Sequence, residues 1–295
     1  MQKKQRLLLG AHMSIAGGLE KSIERGESIN CTTIQIFTKS NRQWNARPLT
    51  SEEINLFKNK AASSQINPIV AHTSYLINIG AYKKETYEKS KLSLTQELLR
   101  CQKLGIPYLV LHPGAYTNGT KKNSLETIAR TLDDIFLENP SNIMILLENM
   151  AGQGTTIGST LEQLATIYDK SKFKERIGIC FDTCHAWAAG YDLSNKTAYN
   201  TLWKNFDEIL GMNLLKCIHL NDSKNELYSN VDRHEHIGKG KMGIKSFTFI
   251  MNDQRLFNIP KILETPKEKG LEKDKENMLK LIDMISTENR KNLLI

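Results

Sequence analysis

Eight largely apolar runs of four to seven residues punctuate the chain: LLLGAH, TIQIFT, PIVAHT, YLVLHP, IMILLEN, IGICFD, LLKCIHL and PKILET. Each is bounded by turn-forming residues. Their near-continuous apolar character, rather than strict alternation, predicts strands buried on both faces, as in a parallel sheet. Between them lie amphipathic stretches of helical period: SEEINLFKNKA from Ser51, YEKSKLSLTQELLRCQKLG from Tyr87 and SLETIARTLDDIFLEN from Ser124. Thr50 and Glu53 predict a capping box, Ser124 an N-cap, and Gly105 ahead of Pro107 a helix stop. The stretch LEKDKENMLKLIDMISTENRK predicts a last helix with Met278, Leu281, Ile282 and Ile285 facing inward.

The polar residues at the ends of these runs carry the chemistry. His12, His72, His112, His185 and His219 stand at or just beyond them, and Glu148, Asp182 and Glu264 occupy equivalent places. His72, His112, Glu148, Asp182, His219 and Glu264 recur at intervals of 40, 36, 34, 37 and 45 residues, one strand plus one crossover helix each. Eight such units without a linker predict an α/β chain, a single (β/α)8 TIM barrel over residues 1–295, with its chemistry at the C-terminal rim. A doubly wound sheet would place ligands at one switch point, not after so many strands.

Ionised carboxylates at the end of buried strands are costly unless a cation compensates them. A donor set rich in histidine and poor in thiolate suits zinc, or manganese or iron, better than magnesium or calcium. His72, His112, Glu148, Asp182, His185, His219, Asp232, His234 and Glu264 make nine candidates, too many for one ion and suited to two or three. Alternate residues of an extended segment share a face, so spacing leaves His236 open in place of His234. Paired ions suit in-line displacement at phosphorus, which makes a phosphodiester the expected substrate class.

Charge agrees with that class. The 295 residues carry a net charge of +8 with a pI near 9.1, as expected for a chain that meets a polyanion. Lys224, Arg233, Lys239, Lys241 and Lys245 crowd the polar segment from Asn221 to Met242, whose length predicts a functional loop. The five cysteines, odd in number and without CxxC spacing, predict buried free thiols in a reducing compartment. No run approaches the ~20 apolar residues of a membrane span, and a cytoplasmic monomer is expected.

Three long blocks carry a resemblance: FDTCHAWAAGYD from Phe181, LLENMAGQGTTIG from Leu146 and HLNDSKNELYSNVDRHEHIGKG from His219. With GAHMSIAGGLE near the start and AHTSYLINIG from Ala71, the chain resembles the endonuclease IV family of apurinic/apyrimidinic endonucleases along nearly its whole length. The resemblance implies a TIM barrel with three zinc ions, manganese able to substitute, that cuts DNA 5′ to an abasic site. It leaves a 3′-hydroxyl and a 5′-deoxyribose phosphate, and trimming of blocked 3′ ends is implied too. By motif, His72, His112 and Glu148 would hold the first ion, with Glu148 bridging to a second completed by Asp182, His219 and Glu264. His185, Asp232 and His234 would hold the third, which favours His234 over His236. Glu148 and Glu264 are the candidate catalytic carboxylates, one or the other expected to orient an attacking hydroxide, with no side chain becoming covalently attached.

His12 and His236 are expected to orient ligands or order loops. Arg42, Tyr75 and Leu76, beyond the second and third strands, would enter the DNA where the base is missing. Trp44 fits either that role or loop packing. Lys39, Lys241 and Lys245 are candidates for phosphate contact or plain surface. A metal-dependent sugar isomerase or epimerase on the same barrel is the alternative. The third donor set, Asp182-x-x-His185 with Asp232-x-His234, argues against it.

Overall fold

The computed structural model describes residues 4–294. In chain order the elements are β1 (Leu9–Met13), α1 (Glu20–Ser28), β2 (Ile34–Phe37), α2 (Ser51–Ser63), β3 (Ile69–His72) and α3 (Lys84–Leu104). Then come β4 (Tyr108–Leu111), α4 (Lys121–Glu138), β5 (Met144–Glu148), α5 (Leu161–Lys170), β6 (Ile177–Asp182), α6 (Thr183–Ala189) and α7 (Lys196–Ile209). β7 (Leu215–His219), α8 (Ile244–Met251), β8 (Lys261–Leu263) and α9 (Glu272–Asp283) complete the order. All eight strands pair in parallel, and β8 closes the ring by pairing with both β1 and β7. This is the (β/α)8 barrel expected from the periodicity.

Strand geometry sets what the barrel interior holds. Val70, Val110, Leu146, Cys180, Cys217 and Ile262, one from each of β3 to β8, form a separate apolar cluster inside the ring. The larger cluster fills the space between ring and helices, for example Phe181 against Trp203 and Phe206 of α7. Side chains two residues apart on a strand share a face, roughly 6.6 Å apart along it. The residues two positions on from the interior cluster are His72, His112, Glu148, Asp182, His219 and Glu264. The ligand candidates are therefore the next layer of the same barrel, stacked on an apolar floor. Gly10 on β1 admits no side chain, because a Cβ there would lie 1.7 Å from the Thr33 carbonyl.

Local signals explain the element ends. Thr50 and Glu53 form the reciprocal capping box of α2, and Gly105 ends α3 in the left-handed conformation at φ 75°. Helix α4 starts earlier than its apolar periodicity predicts, at Lys121, with Thr120 rather than Ser124 as N-cap. Its first turn is Lys-Lys-Asn-Ser and buries nothing apolar, so the pattern becomes visible one turn late. Ser124 instead donates from inside the helix to the Gly80 carbonyl at 2.7 Å. Helix α3 likewise begins at Lys84, one turn ahead of Tyr87. Met278, Leu281 and Ile285 are buried, whereas Ile282 is only partly so. All five thiols are buried and free, and no helix among the described residues is long and apolar enough to cross a membrane.

Candidate metal centre

Strands β3 to β8 each deliver a candidate donor at, or one residue beyond, the point where the strand ends. β6 does so most economically: Asp182 is its last residue and also the N-cap of α6, its Oδ1 accepting the backbone N–H of His185 at 2.7 Å. The Asp-x-x-His spacing is thus a capping geometry that turns His185 back over the barrel mouth. The Asn221–Met242 loop supplies Asp232 and His234. It is ordered by a buried aspartate that the sequence pattern passed over: Asp222 accepts N–H groups from Gly238, Gly240 and Met242 at 2.9, 3.0 and 3.2 Å. The short antiparallel ladder of Asp222–Ser223 with His234–Glu235 fixes the loop's return. That ladder ends at Glu235. His236 therefore leaves the alternation and turns away to accept from Asn277 of α9 at 3.0 Å.

Tautomers are set by the surroundings. The Nδ1–H groups of His72, His185 and His234 donate to the carbonyls of Thr73, Asn149 and Glu264 at 2.7, 2.9 and 3.1 Å. Each of these rings is left with Nε2 as its free donor atom. His219 is reversed: its Nε2–H donates to Gln35 Oε1 at 2.8 Å, which frees Nδ1 toward Glu148, Glu264 and Asp182 at 3.0, 3.3 and 3.8 Å. Gln35 also donates to Glu264 Oε1 at 2.6 Å and to His12 Nδ1 at 3.0 Å, so all of its polar atoms serve the site. Asn221 adds two more restraints, donating to Asp182 Oδ2 at 2.7 Å and accepting the Glu264 N–H at 2.8 Å. Gln35, Asn149, Asn221 and Asp222 were missed from sequence because neutral or singly acidic side chains, whether within a strand or after one, read as ordinary polar residues. Gln35 left a signal, as the one polar residue inside IQIF.

The donor atoms gather into overlapping groups, each within 4.8 Å: His72, His112 and Glu148; Glu148, Asp182, His219 and Glu264; Asp182, His185 and His234; and Asp232 and His234 with Cys184. Glu148 faces two groups at once, with Oε2 3.1 and 3.2 Å from the Nε2 atoms of His72 and His112 and Oε1 3.0 Å from His219 Nδ1. Glu148 can hydrogen-bond to His72 and His219, whereas the group around His185 and His234 fits a cation rather than mutual hydrogen bonds. His185 Nε2 and His234 Nε2 are buried and lack a hydrogen-bond partner, although each lies 3.2 Å from an Asp232 oxygen. Lone pairs that meet side by side without hydrogen-bond geometry converge on a shared point.

Electrostatics agree. Burial pushes the Glu148 carboxyl up, but the neighbouring His219 and His112 outweigh it and hold it well below the usual carboxylate range. Burial likewise opposes ionisation of Asp232 and Glu264, and the facing histidines keep both low. Burial lowers His234, yet Asp182 and Asp232 raise it to about 9. The carboxylates thus demand positive charge at the centre, as protons on the imidazoles or as metal ions. Burial pushes the Cys184 thiol up to about 12.

Around the mouth, Tyr75 is 58% exposed and Leu76 37% exposed, with the Tyr75 ring 5.6 Å from His72 and 5.7 Å from His112. Arg42 is exposed on the loop after β2, and Trp44 is half-buried there. Lys39 corrects an expectation: it is neither phosphate contact nor surface, but 5% exposed and 3.2 Å from Glu97. Lys241 is exposed and pairs with Glu226 at 2.8 Å, and Lys245 is exposed.

The xylose isomerase-like TIM barrel family matches residues 23–287. A protein of Trichlorobacter lovleyi named "Probable endonuclease 4" is 46% identical over 260 residues, 88% of this chain and 92% of that one. The crystal structure of endonuclease IV from Thermus thermophilus superposes with a TM-score of 0.83 at 34% identity, covering 94% of this chain and 98% of that one. A D-tagatose 3-epimerase-like protein also superposes, at a TM-score of 0.70 over 96% of this chain and 99% of that one. At 19% identity, that likeness speaks for the barrel alone. With relatives of this identity across nearly its full length, the chain belongs to the endonuclease IV family.

Proposed function

We propose that the rim is a three-zinc phosphodiesterase centre that hydrolyses DNA 5′ to an abasic site and trims blocked 3′ ends. The observation that carries this is the set of overlapping donor groups, three imidazole-and-carboxylate clusters joined through Glu148 and Asp182. His72, His112 and Glu148 would hold one ion, Glu148, Asp182, His219 and Glu264 a second, and His185, Asp232 and His234 a third. Donors this rich in imidazole favour zinc, with manganese able to substitute. When bound, such ions supply Lewis-acid polarisation of a phosphate and a water nucleophile at neutral pH.

The chain's own groups do the rest. Glu148 or Glu264, both facing the centre as carboxylates, would accept the proton of the attacking water, and a proton from solvent would complete the leaving 3′ oxygen; Glu264 is held in place by Gln35 and Asn221. The attack breaks the bond from phosphorus to the 3′ oxygen of the preceding nucleotide, leaving a 3′-hydroxyl and a 5′-deoxyribose phosphate. Tyr75 and Leu76 hold apolar surface at the mouth, suited to fill the gap left by a missing base, and the exposed Arg42, on a loop whose Asn41 carbonyl accepts from Ser74, would supply a cation for the backbone. A net charge of +8 favours the polyanionic partner.

The test is incubation of the purified chain with a duplex bearing one tetrahydrofuran site, with and without a strong chelator. Incision beside that site, abolished by the chelator, is expected. Chelator-insensitive incision or none contradicts the reading.

A further inference from the structure

The loop after β2, residues 38–47, carries Arg42 yet buries only Thr38 and Lys39. So little apolar anchorage cannot hold a loop in one place. Its backbone is held instead by polar side chains. Arg100 donates to the Thr38 carbonyl at 2.9 Å and the Arg47 carbonyl at 3.0 Å, and Ser93 to the Trp44 carbonyl at 3.0 Å. Ser74 donates to the Asn41 carbonyl at 2.7 Å, and Lys39 to the Gln43 carbonyl at 2.6 Å. Arg100 and Ser93 belong to α3, and Ser74 opens the loop that carries Tyr75 and Leu76.

One buried ion pair links the two loops. Glu97 of α3, 1% exposed, accepts the Ser74 N–H at 3.1 Å through the same Oε1 that lies 3.2 Å from Lys39 Nζ. A single carboxylate oxygen therefore fixes the start of the Tyr75–Leu76 loop and the lysine that clasps the Arg42 loop. Burying such a pair contributes little net stability, since desolvation offsets the attraction. Its value here is geometric.

We infer that Glu97 and Lys39 are positioning residues that register the Arg42 loop against the Tyr75–Leu76 loop, and so set abasic-site preference without touching DNA or metal. This rests on the proposed DNA reading of the mouth. Neither residue is itself a metal donor, but the peptide that Glu97 holds through the Ser74 N–H also presents the Thr73 carbonyl to His72 Nδ1, so the zinc content of each variant is measured beside its kinetics and must stay at the wild-type value while the two loops drift apart. Misplacement of about 1 Å in positioning groups is enough to cost up to ~100-fold.

The experiment compares the zinc-loaded chain with E97Q and with the apolar pair K39M/E97L, which keeps volume while removing both anchors. Beside zinc content, five quantities are read: KM for the tetrahydrofuran duplex, the ratio of incision at tetrahydrofuran-containing and intact duplex, hydrolysis of bis(p-nitrophenyl) phosphate, hydrogen exchange of residues 38–47, and the unfolding transition. The expected result is a roughly tenfold or greater rise in KM for the tetrahydrofuran duplex. The small ester, which needs no base gap, should be hydrolysed at the wild-type rate, and exchange in the loop should accelerate. Wild-type KM and preference in both variants would overturn the inference, as would loss of cooperative unfolding in both, which would make the pair a global scaffold. If the wild-type chain itself ignores the tetrahydrofuran site, the functional reading fails. The anchoring is then judged by hydrogen exchange alone, where unchanged protection in both variants overturns it.

Discussion

Two adjacent layers of the same barrel interior obey opposite rules. The lower layer, Val70, Val110, Leu146, Cys180, Cys217 and Ile262, is apolar and closed. The layer one pleat above it, His72, His112, Glu148, Asp182, His219 and Glu264, brings six ionisable side chains to one place. The two layers lie on the same strands or one residue beyond their ends, and His72, Glu148, Asp182 and His219 are as buried as the floor, so side-chain chemistry is the main difference. The lower layer contributes stability through area removed from water and tight packing. The upper layer gathers like charges in a dry site, a cost that only bound cations or protons offset. A fold can thus carry a destabilising centre because the floor beneath it is strongly stabilising.

Substitutions can break this comparison. The largest effect is expected from Glu148→Gln, which removes the carboxylate facing two donor groups. Incision should fall on the order of 10⁴-fold, about 5.5 kcal/mol of barrier, with the melting transition retained. Steady-state kinetics beside a thermal melt checks it, and an active, fully metallated variant would contradict the bridging role. Directly below, Leu146→Ala should do the reverse, costing about 3 kcal/mol of stability in urea unfolding while incision by the folded chain changes less than about tenfold. Gln35→Leu sits between the two. It leaves His219 and Glu264 unrestrained and should weaken zinc affinity roughly 10- to 100-fold in a competition titration, with stability near wild type.

A separate effect, on the pH dependence of stability, concerns Lys261, a buried ammonium outside both layers whose Nζ donates to the carbonyls of Leu256 and Ile259. Burial lowers it from the ordinary 10.5 to about 7. The unfolded chain keeps the proton up to about pH 10.5, whereas the folded chain releases it near 7. Stability should therefore rise between those values, by at most ~1.4 kcal/mol per pH unit, and be lost as pH falls through the window. Lys261→Met should flatten that rise in denaturant titrations. An unchanged slope would assign the pH dependence to other groups.

The barrel and the gathering of candidate donors at its rim were both legible because a carboxylate or imidazole ending a strongly apolar run is costly, and costly residues are conspicuous. The same logic explains what stayed hidden. Gln35 is neutral, and nothing in a single run announces that its amide meets three partners from three other segments. Glu97 lies on an amphipathic helix where a glutamate reads as solvated, and its burial emerges only once α3 packs on two loops. Asp222 and Asn221 sit in a polar segment that hides which member is structural. Alternation predicted that His234 and His236 share a face, and failed because the ladder stops at Glu235. Element starts slipped by one turn at α3 and α4, where the first helical turn has no apolar face to display.

Returning zinc stepwise to chelator-stripped chain, while metal content and incision of the tetrahydrofuran duplex are followed together, tests the layered centre most directly. Incision should appear only as occupancy approaches three ions per chain, in line with the joined donor groups. Full activity with one bound ion, or with none, would contradict it.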